Sequence, residues 1–416
     1  MALKPYKWVD GAPLDDHTRR KHKVVSEYFF QYIAVRLQMP QQRRFRLAVV
    51  DGFSGAGRYA CGSPGSPIIF LAQLHCALDA VNLGRRAQGL EPVEIECLFI
   101  FNDSDTGAID LLRRHCAPII AEIRDQNQQL HATVEYMNEA FEVAYPNMKE
   151  MIVAGRFRNI IFNLDQCGDS QVSLATLADI MRSTPAAEIF YTLMIKSLIA
   201  FLSPSDKSAL ARRLRHLGIG AIDLAGLDSV MSKDEWLGAA ERLVFESFKA
   251  VAPFHSPFSI TNPDGWRYWL IHFANRYRAR QVYNNVLHEN SSSQAHFGRA
   301  GLNMLSYDPS KEGRLYLFEQ ADRDIAKTQL LDDIPRLVSE LGDAINVGEF
   351  YESVYNVTPA HADEIHAAMI DHPDLEVLTP AGGMRRVGST ISVEDTLRLK
   401  KQRTLFPMFK VTKKEN

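Results

Sequence analysis

Residues 47–59 read LAVVDGFSGAGRY: an apolar run, Asp51 at its end, Phe53, then Gly55 and Gly57 spaced one apart. A strand that passes through a Gly-x-Gly turn into a helix presents bare backbone N–H groups where a ligand approaches closely. A P-loop is excluded, because no Gly-Lys-Ser/Thr follows. A dinucleotide fingerprint wants a third glycine where Ala60 stands. Asp51 would repel a pyrophosphate but accept from a cationic amino-acid moiety. S-adenosylmethionine carries an ammonium and a sulfonium, so D-x-F-x-G-x-G predicts a loop for that cofactor, built from Asp51, Phe53, Gly55 and Gly57.

Outward from this loop the chain alternates. Residues 15–38 place Val24, Val25, Tyr28, Phe29, Tyr32 and Ile33 at helical spacing. After the loop come an apolar helix (IIFLAQLHCALDAVNLG), a strand (VEIECLFIFNDSD), a helix, a weaker strand (HATVEYMN), a helix, and the strand FRNIIFNLDQCG. Such alternation predicts a doubly wound parallel sheet with its ligand at the carboxyl ends of the strands. Residues 184–202 read as a fifth strand with an apolar continuation, and about 203–252 as a helical insertion. Then SPFSITNPDGWRYWLIHFANR sets two β-rich runs around a turn tetrapeptide, which predicts an antiparallel hairpin. A parallel sheet that finishes in such a hairpin is a Rossmann-like class I methyltransferase architecture.

From about Leu302 the grammar changes to three helices, the third opening at Thr358-Pro359, followed by two short strands joined through Gly382-Gly383. That order outlines a winged helix. The expected division is a methyltransferase-like domain over 1–300, a winged-helix-like domain over 301–392 and a basic tail over 393–416. Residues 384–416 carry nine Lys or Arg against three acids.

The second strand ends in acids, and a carboxylate there accepts from two ribose hydroxyls. Asp103 and Asp105 both qualify, and Asp105 equally suits an N-cap. The fourth strand ends NLDQCG, facing the reactive end of a bound cofactor. Asn163 and Asp165 are positioned to accept hydrogen bonds from a target amino group and orient its lone pair. Cys167 would offer a thiolate to C6 of a pyrimidine, or be a small buried thiol. Arg276, Arg278 and Arg280 would line a phosphate path, or form a solvated helix face, and Arg385 and Arg386 sit on the expected wing. His17, Lys21 and His22 form a polar cluster on the first helix that would close over the cofactor, or else face solvent.

Bulk properties set the frame. The chain has 416 residues, 46% hydrophobic and 23% charged, with a formal net charge of −3. No global field announces nucleic acid or membrane. Five scattered cysteines without a CxxC pair predict neither disulfides nor a zinc site, and suit a reducing cytoplasm. Asp165 and Asp169 alone do not make the carboxylate cluster of a metal nuclease. No uninterrupted apolar stretch approaches membrane-spanning length, so a soluble cytoplasmic protein is expected.

The segments KWVDGAPLDDHTRRKHKVVSEYF, VVDGFSGAGRY with GSPGSPIIFL, FNDSD and IIFNLDQCG together resemble the bacterial three-Cys-motif partner proteins. The resemblance covers most of the chain, including YWLIHFANRYRARQVYNNV and the helical C-terminal region. It implies a methyltransferase-like fold, a radical-SAM partner bearing a three-cysteine motif, the cofactor loop at Asp51, Phe53, Gly55 and Gly57, and Asp103 as the second-strand acid. Related sequences tend to carry Asp-Pro-Phe-Gly where this chain has Asp165-Gln166-Cys167-Gly168. Loss of that proline and aromatic removes a stacking platform for a flipped base. The expectation is therefore a cofactor-binding protein acting on or with nucleic acid, or a non-catalytic adaptor of the radical-SAM protein.

Overall fold

A computed structural model describes residues 8–166, 171–194, 215–219, 243–261, 267–290, 294–297, 315–316 and 320–400. They fall into two compact units, one of residues 1–299 with 304–319, the other of residues 300–303 with 320–416.

The first unit is built on a sheet whose strands are β1 (Arg44–Asp51), β2 (Glu94–Asn102), β3 (Leu130–Met137), β4 (Asn159–Leu164), β5 (Ala186–Leu193), β6 (Phe254–Thr261) and β7 (Arg267–Ala274). Their order is β3-β2-β1-β4-β5-β7-β6, extended at the β6 edge by β8 (Gln294–Phe297) and β9 (Leu315–Tyr316). Strands β1 to β5 are parallel; β7 lies antiparallel to β5, and β6 antiparallel to β7. This is the class I methyltransferase topology, and the hairpin that breaks the parallel run is where NPDG predicts it. The turn residues themselves lie outside the described residues. Central strands covered on both faces need near-continuous apolar runs, and Leu47–Val50 and Phe99–Phe101 supply them, all fully buried.

The alternation along each strand sorts side chains to two faces. Ala48, Val50, Phe162 and Leu164 join one apolar cluster with residues of α4 (Phe141–Ala154) and α5 (Leu174–Ser183). The opposite face is covered by α1 (Asp16–Arg36), α2 (Ser66–Ala87), α3 (Thr106–Gln126) and α6 (Tyr277–Glu289), packed side by side. Helix α2 is long and apolar enough to cross a membrane by length and composition, a property the search for an uninterrupted apolar run does not detect. Here it is a core helix, with Phe70, Leu71, Leu74 and Leu78 fully buried. The helix α1 runs across the sheet from its carboxyl to its amino ends: Lys21 meets Asp165 just past β4, and Tyr28 meets Glu188 near the start of β5. Most of the insertion expected at 203–252 lies outside the described residues, which include 3-10 turns at Arg215–Leu217 and Phe248–Ala250.

The second unit runs α7 (Gln320–Glu340), β10 (Ala344–Asn346), α8 (Val347–Val354), α9 (Ala362–Asp371), β11 (Leu375–Leu378) and β12 (Thr396–Leu399), with antiparallel sheet order β10-β12-β11. Helix, strand, two helices and two strands is the winged-helix order. Two details differ from the sequence reading. The third helix opens at His361, not Thr358: His361 and Glu364 form a reciprocal capping box, while the Thr358 hydroxyl accepts from the Ala360 N–H at 3.1 Å. The strand partner of β11 is Thr396–Leu399, inside the stretch read as tail; residues after Gly383 contribute only an isolated bridge at Met384. The buried Asp395 explains the longer loop, since it takes a bidentate contact from Arg385 (2.9 and 3.1 Å) and the Ser392 N–H at 2.8 Å. Residues 401–416 of the expected tail lie outside the described residues.

Candidate functional site

The loop after β1 is tied down by backbone and by Asn102. Gly52 N–H donates to the Asn163 carbonyl of β4 at 3.0 Å, and Ser54 N–H to the Asn102 carbonyl of β2 at 2.9 Å. The Asn102 amide donates back to the Gly52 carbonyl at 3.1 Å. Gly55 and Gly57 both have positive φ, +56° and +77°, where a side chain is strained. Space forbids one too: a Cβ on Gly55 would lie 2.3 Å from the Trp8 ring, and on Gly57 2.6 Å from Leu112. The bare face of Gly55 is thus covered by the indole of the N-terminal turn Trp8–Asp10, which also touches Tyr59 with ring centroids 5.6 Å apart. Phe53 turns the other way, onto Phe141 at 5.7 Å.

The acids separate into distinct roles. Asp105 caps α3, its Oδ1 accepting from Gly107 N–H at 2.8 Å and Ala108 N–H at 3.3 Å, the cap reading of that residue. Asp103 accepts from Gly55 N–H and Asp105 N–H, both at 2.9 Å, and so links the β2 tip to the glycine loop. Burial raises its carboxyl above the ordinary value. Asp51 is fully buried. Its Oδ1 accepts from the Phe53 N–H at 3.3 Å, while Oδ2 meets no donor at hydrogen-bonding geometry among the described residues. Burial pushes its carboxyl up to about 7, although Ser66, Asn163 and the Phe53 N–H favour the charged form.

Asn163 and Asp165 project from the β4 end onto the same face, towards α1. Asp165 forms an ion pair with Lys21, Nζ to Oδ1 2.5 Å. Burial alone would raise the Asp165 carboxyl, but Lys21, His22 and Thr192 together hold it below the ordinary carboxylate range. Lys21 is itself buried. Burial lowers His22 to about 4, so the imidazole beside this pair is neutral at pH 7. His17, one turn earlier than Lys21, stacks on Tyr268 with ring centroids 4.2 Å apart and the ring planes nearly parallel. The polar cluster of the first helix therefore faces the strand ends rather than solvent. Lys21, His22, Ser66, Asn163, Asp165 and Thr192 surround a cavity of about 10 Å³, close to the minimum of about 10–15 Å³ for one water molecule. Ser66 and Thr192 are absent from the sequence reading. Ser66 belongs to the quoted GSPGSP segment, whereas Thr192 carries no signal beyond its place at a strand end.

Cys167 lies outside the described residues. Its neighbour Gln166 donates to the Tyr191 hydroxyl at 2.7 Å and accepts from Gln171 N–H at 2.9 Å. The arginines do not act as one row. Arg276 and Arg278 are exposed, but Arg280 is fully buried, which removes it from any surface phosphate path. Residues two apart on a helix lie about 200° apart, so Arg278 and Arg280 cannot share a solvent face. Arg385 is committed to Asp395, and Arg386 is exposed. Among the described residues no group of three or more His, Cys, Asp or Glu is placed to hold a metal ion.

No family model matches the chain, and a search of curated proteins returns no match. What the sheet order shows is a class I methyltransferase-like fold.

Proposed function

We propose that this chain is an S-adenosylmethionine-binding, methyltransferase-like protein that works with a partner. One observation carries the cofactor half: the fully buried Asp51, at the end of β1 and beside the glycine loop, whose Oδ2 meets no donor at hydrogen-bonding geometry among the described residues. A buried carboxylate is costly without a cation or full hydrogen bonding, and the cofactor's ammonium is the partner its chemistry wants. Asp51 and the loop at Gly55 and Gly57 would hold the amino-acid end, and Asp103 the ribose. Bound there, the cofactor supplies a methyl group already activated on sulfonium. Because Trp8 covers Gly55, binding is expected to displace the Trp8–Asp10 turn. Calorimetric titration with S-adenosylmethionine and its demethylated product tests this; absence of saturable heat would refute it.

The fate of the methyl group is a separate matter. Asp165, one of the two residues expected to orient a target amine, is neutralised by Lys21. A docking role for the second unit is favoured by charge. Residues 320–416 carry sixteen Asp or Glu against twelve Lys or Arg, five of those twelve after residue 400, and α9, the helix that would enter a groove of DNA, carries Asp363, Glu364 and Asp371 with no Lys or Arg. Phosphate backbones demand the opposite sign. We therefore favour a protein partner with a basic surface over nucleic acid for this unit. The resemblance to three-Cys-motif partners, with their radical-SAM protein, supports the same choice. Co-purification with that protein, set against an electrophoretic shift with DNA and RNA, separates the two: a salt-sensitive shift without co-purification would reverse the preference.

A further inference from the structure

A second cavity, of about 120 Å³, opens at the other end of α1, by the amino end of β5. Its wall combines Tyr32 and Arg36 of α1, Glu188 of β5, and Arg276 and Arg278 at the start of α6. The Tyr32 residue is 3% exposed, and its hydroxyl meets no donor or acceptor at hydrogen-bonding geometry among the described residues. Tyr32, Glu188 and Arg36 share the cavity wall; burial and Glu188 push the hydroxyl up, and the nearby Arg36 guanidinium opposes them. Arg36 lies over the Tyr32 ring, 5.6 Å from its centroid, and also donates to Asn159. Arg278 donates to Gln281. A guanidinium has five N–H donors, so each keeps others in reserve.

Two further features fix the sign of the ligand. Arg276, the N-cap of the 13-residue α6, makes no side-chain cap, and the first turn of that helix borders the cavity through Arg278 and Ala279. A helix N-terminus attracts anions. Glu188 is the one acid in the wall, and its Oε2 is occupied by the Tyr28 hydroxyl at 2.5 Å and His272 Nε2 at 3.2 Å. Three guanidinium groups against one carboxylate leave a surplus of two positive charges.

We propose that this cavity binds a terminal phosphoryl group, a dianion held by Arg36, Arg276 and Arg278 with the Tyr32 hydroxyl donating to one oxygen. The site is independent of Asp51 and the glycine loop, which sit at the opposite end of the strands. The shared chemistry fits inorganic phosphate, a nucleoside 5′-monophosphate or the 5′-phosphate of an oligonucleotide. Titration of the full chain with each of the three, alongside a 5′-hydroxyl oligonucleotide, distinguishes these sources.

Saturable binding by at least one phosphate-bearing probe is expected. It should weaken about tenfold in Tyr32→Phe, which loses one hydrogen bond to a charged group. A larger loss, about a hundredfold, is expected in the exposed double variant Arg276→Ala/Arg278→Ala, whose circular dichroism should match wild type. Without ligand, Tyr32→Phe should melt at or above the wild-type temperature, since it removes a buried unpaired hydroxyl. Three results would each overturn the proposal: no saturable binding by any phosphate-bearing probe, equal binding by the variants, or equal binding of the 5′-hydroxyl and 5′-phosphate oligonucleotides.

Discussion

Two carboxylates on one face of the sheet are both covered by α1 and are neutralised in different ways. At the carboxyl ends Asp165, partly exposed, faces the Lys21 ammonium. Towards the amino ends Glu188, buried, faces neutral donors, the Tyr28 hydroxyl and His272, whose proton affinity burial lowers although Glu188 opposes the effect. The difference follows the dielectric. In the first pair Asp165 stays partly exposed, so its desolvation is incomplete and the ion pair is stable; at Glu188, hydrogen bonds to one buried charge avoid burying a second. Asp51 obeys neither rule, being fully buried with neither a cation nor a full set of donors among the described residues. Such departures cluster where ligands bind.

The comparison can be broken at each carboxylate, and Asp51 should respond most. Its folded pKa stands above its unfolded value of 3.8, at about 7. The stabilising effect of the protonated form is therefore complete below pH 3.8 and is lost as pH rises through about 7. Asp51→Asn should accordingly stabilise the protein at pH 8 by on the order of 4 kcal/mol, and change little near pH 4. Urea denaturation at the two pH values checks this, and a variant less stable than wild type at pH 8 would show that Asp51 carries an unrecognised partner.

Lys21→Met comes next. It strands Asp165, and a loss of about 3 kcal/mol at pH 7 is expected, much of it recovered in Lys21→Met/Asp165→Asn. Because the Asp165 carboxyl is depressed, its contribution is present above its unfolded pKa and lost as pH falls through the lower folded value. The deficit of Lys21→Met should therefore shrink in acid. Tyr28→Phe should have the smallest effect, about 2 kcal/mol, the usual value for a hydrogen bond to a charged group. A Tyr28→Phe deficit exceeding that of Lys21→Met would reverse the ranking of the two ends.

Much of the first unit is legible in the sequence, for reasons that can be named. Leu47–Val50 and Ile160–Phe162 are too continuously apolar for a surface strand, and two β-rich runs around Asn-Pro-Asp-Gly leave little but a hairpin. The inward turn of Lys21 was equally open to reading. Residues 17, 21, 25, 29 and 33 recur every fourth position, so Lys21 continues the row of Val25, Phe29 and Ile33. Arg280 is legible by the same phase argument. Less was readable where roles depend on distant partners. Asp103 and Asp105 both qualify for ribose in the string FNDSD, with the cap reading attached to Asp105; the fold brings Gly55 to Asp103 and leaves Asp105 at a helix start. The opening of α9 at His361 defeats the usual preference for Thr with Pro, because Glu364 completes a capping box three residues on. Strand β12 escapes notice because its loop depends on Arg385 reaching the buried Asp395.

The central claim is that Asp51 is the anchor for a cationic cofactor. Calorimetry with S-adenosylmethionine at pH 6 and pH 8, on wild type and Asp51→Asn, tests it most directly. Saturable binding is expected to strengthen as pH rises through about 7 and the Asp51 carboxyl ionises, and to be lost in Asp51→Asn. Binding that ignores both pH and the substitution, or no binding in the wild type, would contradict it.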